Sequence, residues 1–381
     1  MSRWDALNAF FNKTGAVVAF GLNALNGKRW KSDGATDGPW DSSNARDFIQ
    51  YTVDHGHKIK AWELGNELSG SGVGTSISVE QYAADVIELH GILDGIYKDY
   101  EEKPLLIAPD GFFVADWFKE FLNLTGPNIM NVVTHHFYNL GAGVDNDLVE
   151  KILNPSYLSQ EASTFKGLQA VLQNYGPWSK AWVGETGGAY NSGHNLITNA
   201  FVMSFWYLDQ LGMASAFSTK SFCRQSLIGG NYGLLNTTTF LPNPDYYSAL
   251  LWHRLMGTRV LATNSTGTEY LRAYAHCTKS SRGVTLLLIN LSRDTGISVQ
   301  VSTGSGTSTD RNSRLEYHLT AKDGDLHSQT VLLNGNILNI TPDGEIPSLS
   351  AVTVPANRPI LVAPLSIAFV NLPYVQFPAC S

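Results

Sequence analysis

The feature that most narrows the fold is an alternation. From the start to about residue 250, six short apolar, β-prone segments are separated by longer stretches of helical periodicity, the pattern of βα units around a parallel sheet. The segments are Gly15–Asn23, Ile59–Asn66, Leu105–Asp110, Val132–Tyr138, Lys180–Glu185 and a stretch from about Ala214 to Gln225. Between them, Ser78-Val-Glu-Gln81 reads as a capping box opening a helix whose apolar face is Tyr82, Val86, Leu89, Leu93 and Ile96. Leu196–Leu211 predicts a second amphipathic helix. After about residue 258 the pattern changes to short alternating strands parted by Gly, Ser, Asn and Asp: Glu269–Ala275, Val284–Asn290, Leu315–Leu319 and Leu361–Phe369. That spacing predicts an antiparallel β-sandwich. Thr303–Thr309, rich in Gly and Ser, reads as a flexible loop. The expected architecture is an α/β barrel domain over residues 1–257 followed by a β-sandwich domain over residues 258–381.

Charge and cysteine content remove several classes of function. The 26 basic and 33 acidic residues give a net charge of −7, with no basic cluster longer than Lys28-Arg29, so nucleic acid is not expected as a partner. No uninterrupted apolar run reaches the roughly 18 residues of a membrane span. The first twenty residues lack the basic start, apolar core and small-residue cleavage site of a signal peptide. Cys223, Cys277 and Cys380 are too widely spaced for a zinc finger or a redox pair. Sequons at Asn12, Asn123, Asn236, Asn264, Asn290 and Asn339 fit a secreted glycoprotein, although a chain rich in Asn, Ser and Thr carries some by chance.

Polar residues collect where the predicted strands end: Asn23, Asn66-Glu67, Asp110, His136, Tyr138 and Glu185. In a parallel barrel that rim is where active sites are built. Two carboxylates stand out, Glu67 in Trp62-Glu-Leu-Gly-Asn-Glu67 and Glu185 in Trp182-Val-Gly-Glu-Thr186. Cleaving a glycosidic bond with retention takes one carboxylic acid to protonate the leaving oxygen and one carboxylate to attack the anomeric carbon, about 5 to 5.5 Å apart. A lone Glu at a strand end is commonly a surface or salt-bridged residue. An Asn directly before the acid, three βα units ahead of a second Glu, is however the arrangement of a large clan of barrel glycosidases. Glu63 shares the strand parity of Glu67 and could face inward, but it sits too deep to reach a substrate above the rim. Adjacent His135 and His136 point to opposite faces and have no third ligand nearby in sequence, so no metal is expected. Gly70-Ser-Gly-Val-Gly74 lacks the spacing of a dinucleotide loop and reads as a substrate-side loop, so no cofactor is expected either.

The motifs Trp62–Glu67, Thr134-His-His-Phe-Tyr138, Val183-Gly-Glu-Thr-Gly-Gly-Ala-Tyr190, Arg224-Gln225, Gly229-Gly-Asn-Tyr-Gly233 and Pro242-Asn-Pro-Asp-Tyr-Tyr247 occur in order along essentially the whole chain. Together they resemble the plant heparanase-like members of glycoside hydrolase family 79, which holds endo- and exo-acting β-glucuronidases. The resemblance implies Glu67 as acid/base and Glu185 as nucleophile, with the Asn66 side chain on the sugar 2-hydroxyl. It places Tyr232 on the uronic acid carboxylate. Asn191 and Ser192 fall where animal members have glycines whose N–H groups also bind that carboxylate, and the substitution weakens the expected backbone contact. His136 and Tyr138 share strand parity and would face the barrel interior, Tyr138 holding Glu185 by a hydrogen bond. The resemblance also pairs Cys277 with Cys380, closing a loop of about 100 residues that contributes about 4 to 5 kcal/mol in the chain-entropy model, and leaves Cys223 free and buried. The implied substrate is a glucuronic-acid-containing glycan or a small glucuronide. The implied location is the extracellular space and cell wall, or the lysosome or vacuole, with peripheral membrane association allowed.

Members of the family begin with a signal peptide and supply two barrel strands, and a strand of the β domain, before the point where this chain starts. The expected fold is thus a (β/α)8 TIM-type barrel lacking its first two strands, a gap that a separate N-terminal segment would fill, since six strands cannot close an eight-stranded barrel. Three functional readings follow: a retaining β-glucuronidase, a catalytically silent truncated product or carbohydrate-binding remnant, and a glycosidase of the same clan with another sugar preference.

Overall fold

The structure, a computed structural model, describes residues 2–302 and 313–380. The expected flexible loop at Thr303–Thr309 lies outside the described residues. The chain divides into two compact units, one made of Met1–Phe137, Thr164–Thr186 and Ser218–Cys223, the other of Tyr138–Ser163, Gly187–Phe217 and Arg224–Ser381. Compactness therefore interleaves the units along the sequence. By element type the change falls near the expected boundary, where a helix ending at Leu255 gives way to antiparallel strands from Met256.

The first unit is built on a six-stranded sheet. Its strands are β1 (Ala19–Leu22), β2 (Ala61–Leu64), β3 (Leu105–Phe112), β4 (Val132–His136), β5 (Lys180–Thr186) and β6 (Ser221–Arg224). They lie side by side in chain order, and the pairings from β1 through β5 are all parallel. A strictly sequential order has no switch point, which separates it from a doubly wound sheet and makes it the wall of a barrel. Each of the six strands forms in the segment expected for it, with β3 running two residues and β5 one residue past the expected end; the last segment was read too long, since Ala214–Ala216 closes a helix.

Side-chain alternation divides the two faces of this sheet. Trp62 and Leu64 of β2 point to the helical side, into a core shared with Trp4, Ile49, Tyr82 and Leu89. The helices there are α1 (Ser2–Thr14), α2 (Ser43–Asp54) and α3 (Val79–Ile96). Helix α4 (Ala115–Thr125) and α5 (Ala162–Tyr175) cover β4 and β5 through Phe118, Leu122, Leu168 and Val171. Ser78 caps α3 as expected, accepting from Gln81 N–H at 3.3 Å, but Gln81 turns its own amide to Asp85 (2.8 Å), so only half of the capping box forms. On the opposite, inner face a small apolar floor of Ala61, Ile107 and Val132 lies beneath a layer of polar side chains.

Two irregularities in this sheet matter for the site. Between Ala108 and Gly111, β3 advances three residues while β4 advances two, from Val133 to His135; between His135 and His136, β4 advances one residue while β5 advances two, from Val183 to Glu185. Each is a bulge, and bulges re-aim side chains.

The second unit carries an eight-stranded antiparallel sheet. Its strands are β7 (Met256–Leu261), β8 (Leu271–Thr278) and β9 (Val284–Asn290), then β11 (Ser313–Ala321), β12 (Val331–Leu333), β13 (Asn336–Ile337), β14 (Val352–Pro355) and β16 (Ser366–Leu372). A separate pair, β10 (Ile297–Val299) and β15 (Ile360–Val362), buries Ile360 and Val362 in the same apolar cluster as Leu286, Leu288 and Val370. Cys277 and Cys380 are joined by a disulfide, as the resemblance implied.

Three expectations need correction. The helix read over Leu196–Leu211 as amphipathic is α6 (Met203–Ala216), buried on all sides from Met203 to Ala214. Its polar residues looked like a solvent face, but Asp209 is wholly buried and held by Arg272 (2.7 Å) and Tyr274 (2.7 Å). Cys223 is free but exposed, because β6 ends the sheet and no further strand covers that side among the described residues. The sequon at Asn290 is not an acceptor site: its side chain is fully buried and its amide donates to the carbonyls of Thr295, Val362 and Ala363. Asn12, Asn123, Asn264 and Asn339 are exposed and Asn236 is half-buried. No helix among the described residues is long and apolar enough to cross a membrane.

Candidate active site

The inner face of the parallel sheet gathers the chemistry. Alternation from Thr134 brings His136 inward, and His136 Nδ1 meets Glu67 Oε1 at 2.9 Å while its Nε2 meets Asp110 Oδ1. A carboxylate oxygen of Glu67, a ring nitrogen of His136 and a carboxylate oxygen of Glu185 all lie within 4.8 Å of one another. Glu185 and Asp110 line an open cleft of about 560 Å³ together with Leu22, Asn23, Glu63 and Asn66.

Local backbone explains each placement. Counting by twos from Trp182, which packs on the inner floor, Glu185 would face the helices; the β5 bulge turns it inward instead. The β3 bulge does the same for Asp110. Glu67 and Asp110 both adopt left-handed backbone (φ 52° each), and the Glu67 N–H donates to the Asp110 carbonyl at 2.6 Å. Such backbone costs about 1 to 3 kcal/mol per residue and persists where the surroundings over-determine it. Gly184 is required by the same crowding: a Cβ there would stand 2.6 Å from Asp110 Oδ1 and 3.0 Å from Thr134 Cβ.

Burial and neighbours set the charges. Burial alone would push His136 down, but its hydrogen bonds to Asp110 and Glu67 and the charges of Asp110 and Glu185 outweigh it and raise its pKa to about 10. Both ring nitrogens then carry protons aimed at carboxylates. Glu63, the deep residue of β2, accepts from Thr134 Oγ1 (2.9 Å) and is pushed up to about 8, first by burial and then by the charge of Asp110. Thr134 in turn accepts the Asp110 N–H at 3.0 Å. His135 points to the helical side, wholly buried between Phe137 and Phe165, and desolvation lowers its pKa to about 3.

The residues singled out in the sequence thus fall into two groups. Asn66, Glu67, His136 and Glu185 belong to the first unit and come together in it. Tyr138, Asn191, Ser192 and Tyr232 belong to the second. There Tyr138 and Tyr232 flank Gly187, whose Cβ would lie 3.1 Å from each ring, and Gln225 Nε2 donates to Tyr232 Oη at 3.3 Å. Ser192 accepts the Asn231 N–H at 2.7 Å. Asn191 and Ser192 both hold positive φ (57° and 68°), so their backbone keeps a glycine-like conformation despite the side chains. Sequence reasoning passed over Asp110, Thr134 and Gly184 as site residues. Asp110 was visible as a strand-end carboxylate, but nothing in strand periodicity announces the bulge that turns it toward His136.

Residues 1–212 match the model of glycosyl hydrolase family 79, N-terminal domain. The chain belongs to glycoside hydrolase family 79. It is 51% identical over 402 residues to heparanase-like protein 3 of Arabidopsis thaliana, covering all of this chain and 75% of that one. It is 42% identical over 395 residues to the baicalin-beta-D-glucuronidase of Scutellaria baicalensis, covering all of this chain and 74% of the relative. Among solved structures it superimposes on a 4-O-alpha-L-rhamnosyl-beta-D-glucuronidase from Fusarium oxysporum with a TM-score of 0.67 at 17% identity, covering 96% of this chain and 79% of that one. This family-79 chain is a glycoside hydrolase, built on the fold of the barrel glycosidases.

Proposed function

We propose that this chain is a retaining β-glucuronidase in which Glu67 is the acid/base and Glu185 the nucleophile. The observation that carries the mechanism is the separation of the two carboxylates, whose nearer oxygens lie within 4.8 Å. A gap of that size supports the closer spacing of retaining enzymes, in which the second carboxylate attacks directly. Glu185 attacks the anomeric carbon as the Glu67 carboxylic acid gives its proton to the departing glycosidic oxygen, so that the C–O bond breaks and the aglycone leaves as an alcohol. The Glu67 carboxylate then takes a proton from water, whose oxygen attacks the same carbon and releases the Glu185 carboxylate. Atoms balance to glycoside plus water. Asn66, exposed at the cleft beside Glu67, is assigned to the sugar 2-hydroxyl.

Specificity for a glucuronide is supported by the glucuronidase named among the relatives and by Tyr232 with its Gln225 neighbour, a pair of donors suited to a carboxylate. Asn191 and Ser192 retain the backbone conformation that lets N–H groups turn to the same acceptor. The six strands are assigned to strands three to eight of a (β/α)8 barrel, with residues 258–381 as a sandwich domain. The disulfide and the exposed sequons support an oxidising, secretory or vacuolar compartment.

The test is release of an aryl aglycone from a β-glucuronide by the wild-type chain and Glu185→Gln, with the first-formed sugar anomer read by proton NMR. Activity confined to the wild type and a β-anomer formed first are expected. An α-anomer first would overturn retention, and equal turnover of a matched β-glucoside would overturn the uronate assignment.

A further inference from the structure

Two of the carboxylates on the inner face have work to do in the proposed reaction; Asp110 does not, yet the fold spends a bulge, a left-handed backbone residue and an obligatory glycine on placing it. Its oxygen is hydrogen-bonded to His136 Nε2, its N–H is held by Thr134 Oγ1 at 3.0 Å, and its carbonyl receives the Glu67 N–H at 2.6 Å. Asp110 therefore touches Glu67 by two routes, through the backbone and through the imidazole. The His136 side chain is fully buried and those of Asp110 and Glu67 nearly so, with side-chain exposures of 0%, 11% and 13%.

We propose that Asp110 is a positioning residue of the hydrolytic site: by holding His136 at Nε2, it fixes the ring so that Nδ1 meets Glu67 and so fixes the orientation of that carboxyl group. The inference rests on the assignment of Glu67 as acid/base. A neutral imidazole held at Nε2 would turn a bare Nδ1 to Glu67; the carboxylates on both sides favour the doubly protonated ring, raised to about 10, which donates from Nδ1 as well. The charge of Glu185 also acts on the imidazole. The other titratable groups around the imidazole are Glu63 on β2, Tyr82 on α3, Cys223 on β6 and His135 beside it. Glu63 is held protonated by burial up to about pH 8, and burial drives Tyr82 and His135 toward their neutral forms. Asp110 is thus the carboxylate left to hold the proton on His136 from below.

The experiment compares wild type, Asp110→Asn and Glu67→Gln on two β-glucuronides, one with a phenol leaving group that needs a proton and one with 2,4-dinitrophenol, which does not. In Asp110→Asn the ring is no longer held by a carboxylate at Nε2, and the Glu67 carboxyl group loses its fixed partner. The phenyl substrate loses at least about tenfold more rate than the dinitrophenyl one, within the span of general acid catalysis. Equal losses on both substrates would overturn the proposal. If Glu67→Gln itself shows no leaving-group dependence, it is the acid/base assignment that fails, a different result. Where Asp110→Asn does not fold, ring-nitrogen NMR of His136 in the wild type decides: a doubly protonated ring at about pH 8 is expected, and a neutral ring at about pH 7 would overturn the role.

Discussion

His135 and His136 are neighbours on one strand and live in opposite chemistry. His135 faces the helices, fully buried against Phe137 and Phe165, and neither ring nitrogen has a hydrogen-bond partner among the described residues. His136 faces the interior, equally buried, with both nitrogens on carboxylates. Burial acts on both rings in the same direction; partners decide the sign, lowering one pKa to about 3 and raising the other to about 10. The two faces of the sheet are therefore a stabilising face and a reactive face, and a one-residue step crosses between them.

The sharpest break in that contrast comes from the reactive face. Glu185→Gln is expected to cut kcat by about 10⁴-fold or more, as removal of a covalent nucleophile does elsewhere, with the thermal midpoint little changed; a loss under about tenfold would show that Glu185 does not form the bond. Next, His136→Leu strands Asp110 without its partner in a buried site and is expected to cost about 3 to 5 kcal/mol by denaturant unfolding. A cost under about 1 kcal/mol would mean that Asp110 finds other partners and the ion pair is not what holds the face together. Smaller again is Gly184→Ala. The added methyl group must displace the Asp110 carboxylate or spread β5 from β4, and a shift of roughly 1 Å at a catalytic group lowers kcat by about 10²-fold. Unchanged kcat would show that the crowding around Asp110 relaxes without reaching the site.

Much of this contrast was legible in the chain. Period-two alternation through Val132–His136 already put the two histidines on opposite faces, and the recurrence of Asn66-Glu67 and Glu185 at strand ends located the rim. What alternation could not carry was register. A bulge changes the face of every residue after it without altering composition or hydrophobic pattern, which is why Asp110 was noticed but not enlisted, and why Glu185, one residue out of phase with Trp182, faces the cleft. Helix α6 escaped for a related reason. Its polar Asp209 and Gln210 look like a solvent face until Arg272 and Tyr274, some 60 residues on, are seen to satisfy Asp209. The exposure of Cys223 and the burial of Asn290 depend on neighbouring strands that local sequence does not describe.

The smallest effect is also the most diagnostic of the comparison. His135→Phe replaces a buried ring lacking partners by an apolar ring that can stack on Phe137 and meet Phe165 edge-on. Removing an unsatisfied buried polar group of this kind gains about 1 kcal/mol near neutral pH, and activity is expected to stay at the wild-type level because the ring faces away from the cleft. The pH dependence separates the two histidines by sign. The folded-state value of His135 lies below its unfolded value of 6.5, so the unfolded chain takes up a proton that the folded chain refuses; stability falls as pH drops from about 6.5 toward 3. His136 does the reverse: its folded value lies above 6.5, so its contribution is full below that pH and fades as pH rises toward 10. His135→Phe should therefore flatten the acid side of the stability profile and leave the alkaline side unchanged. Should the acid side keep its slope in the variant, the proton refused at low pH belongs to another buried group, and the helical face of the sheet does not owe its acid sensitivity to His135.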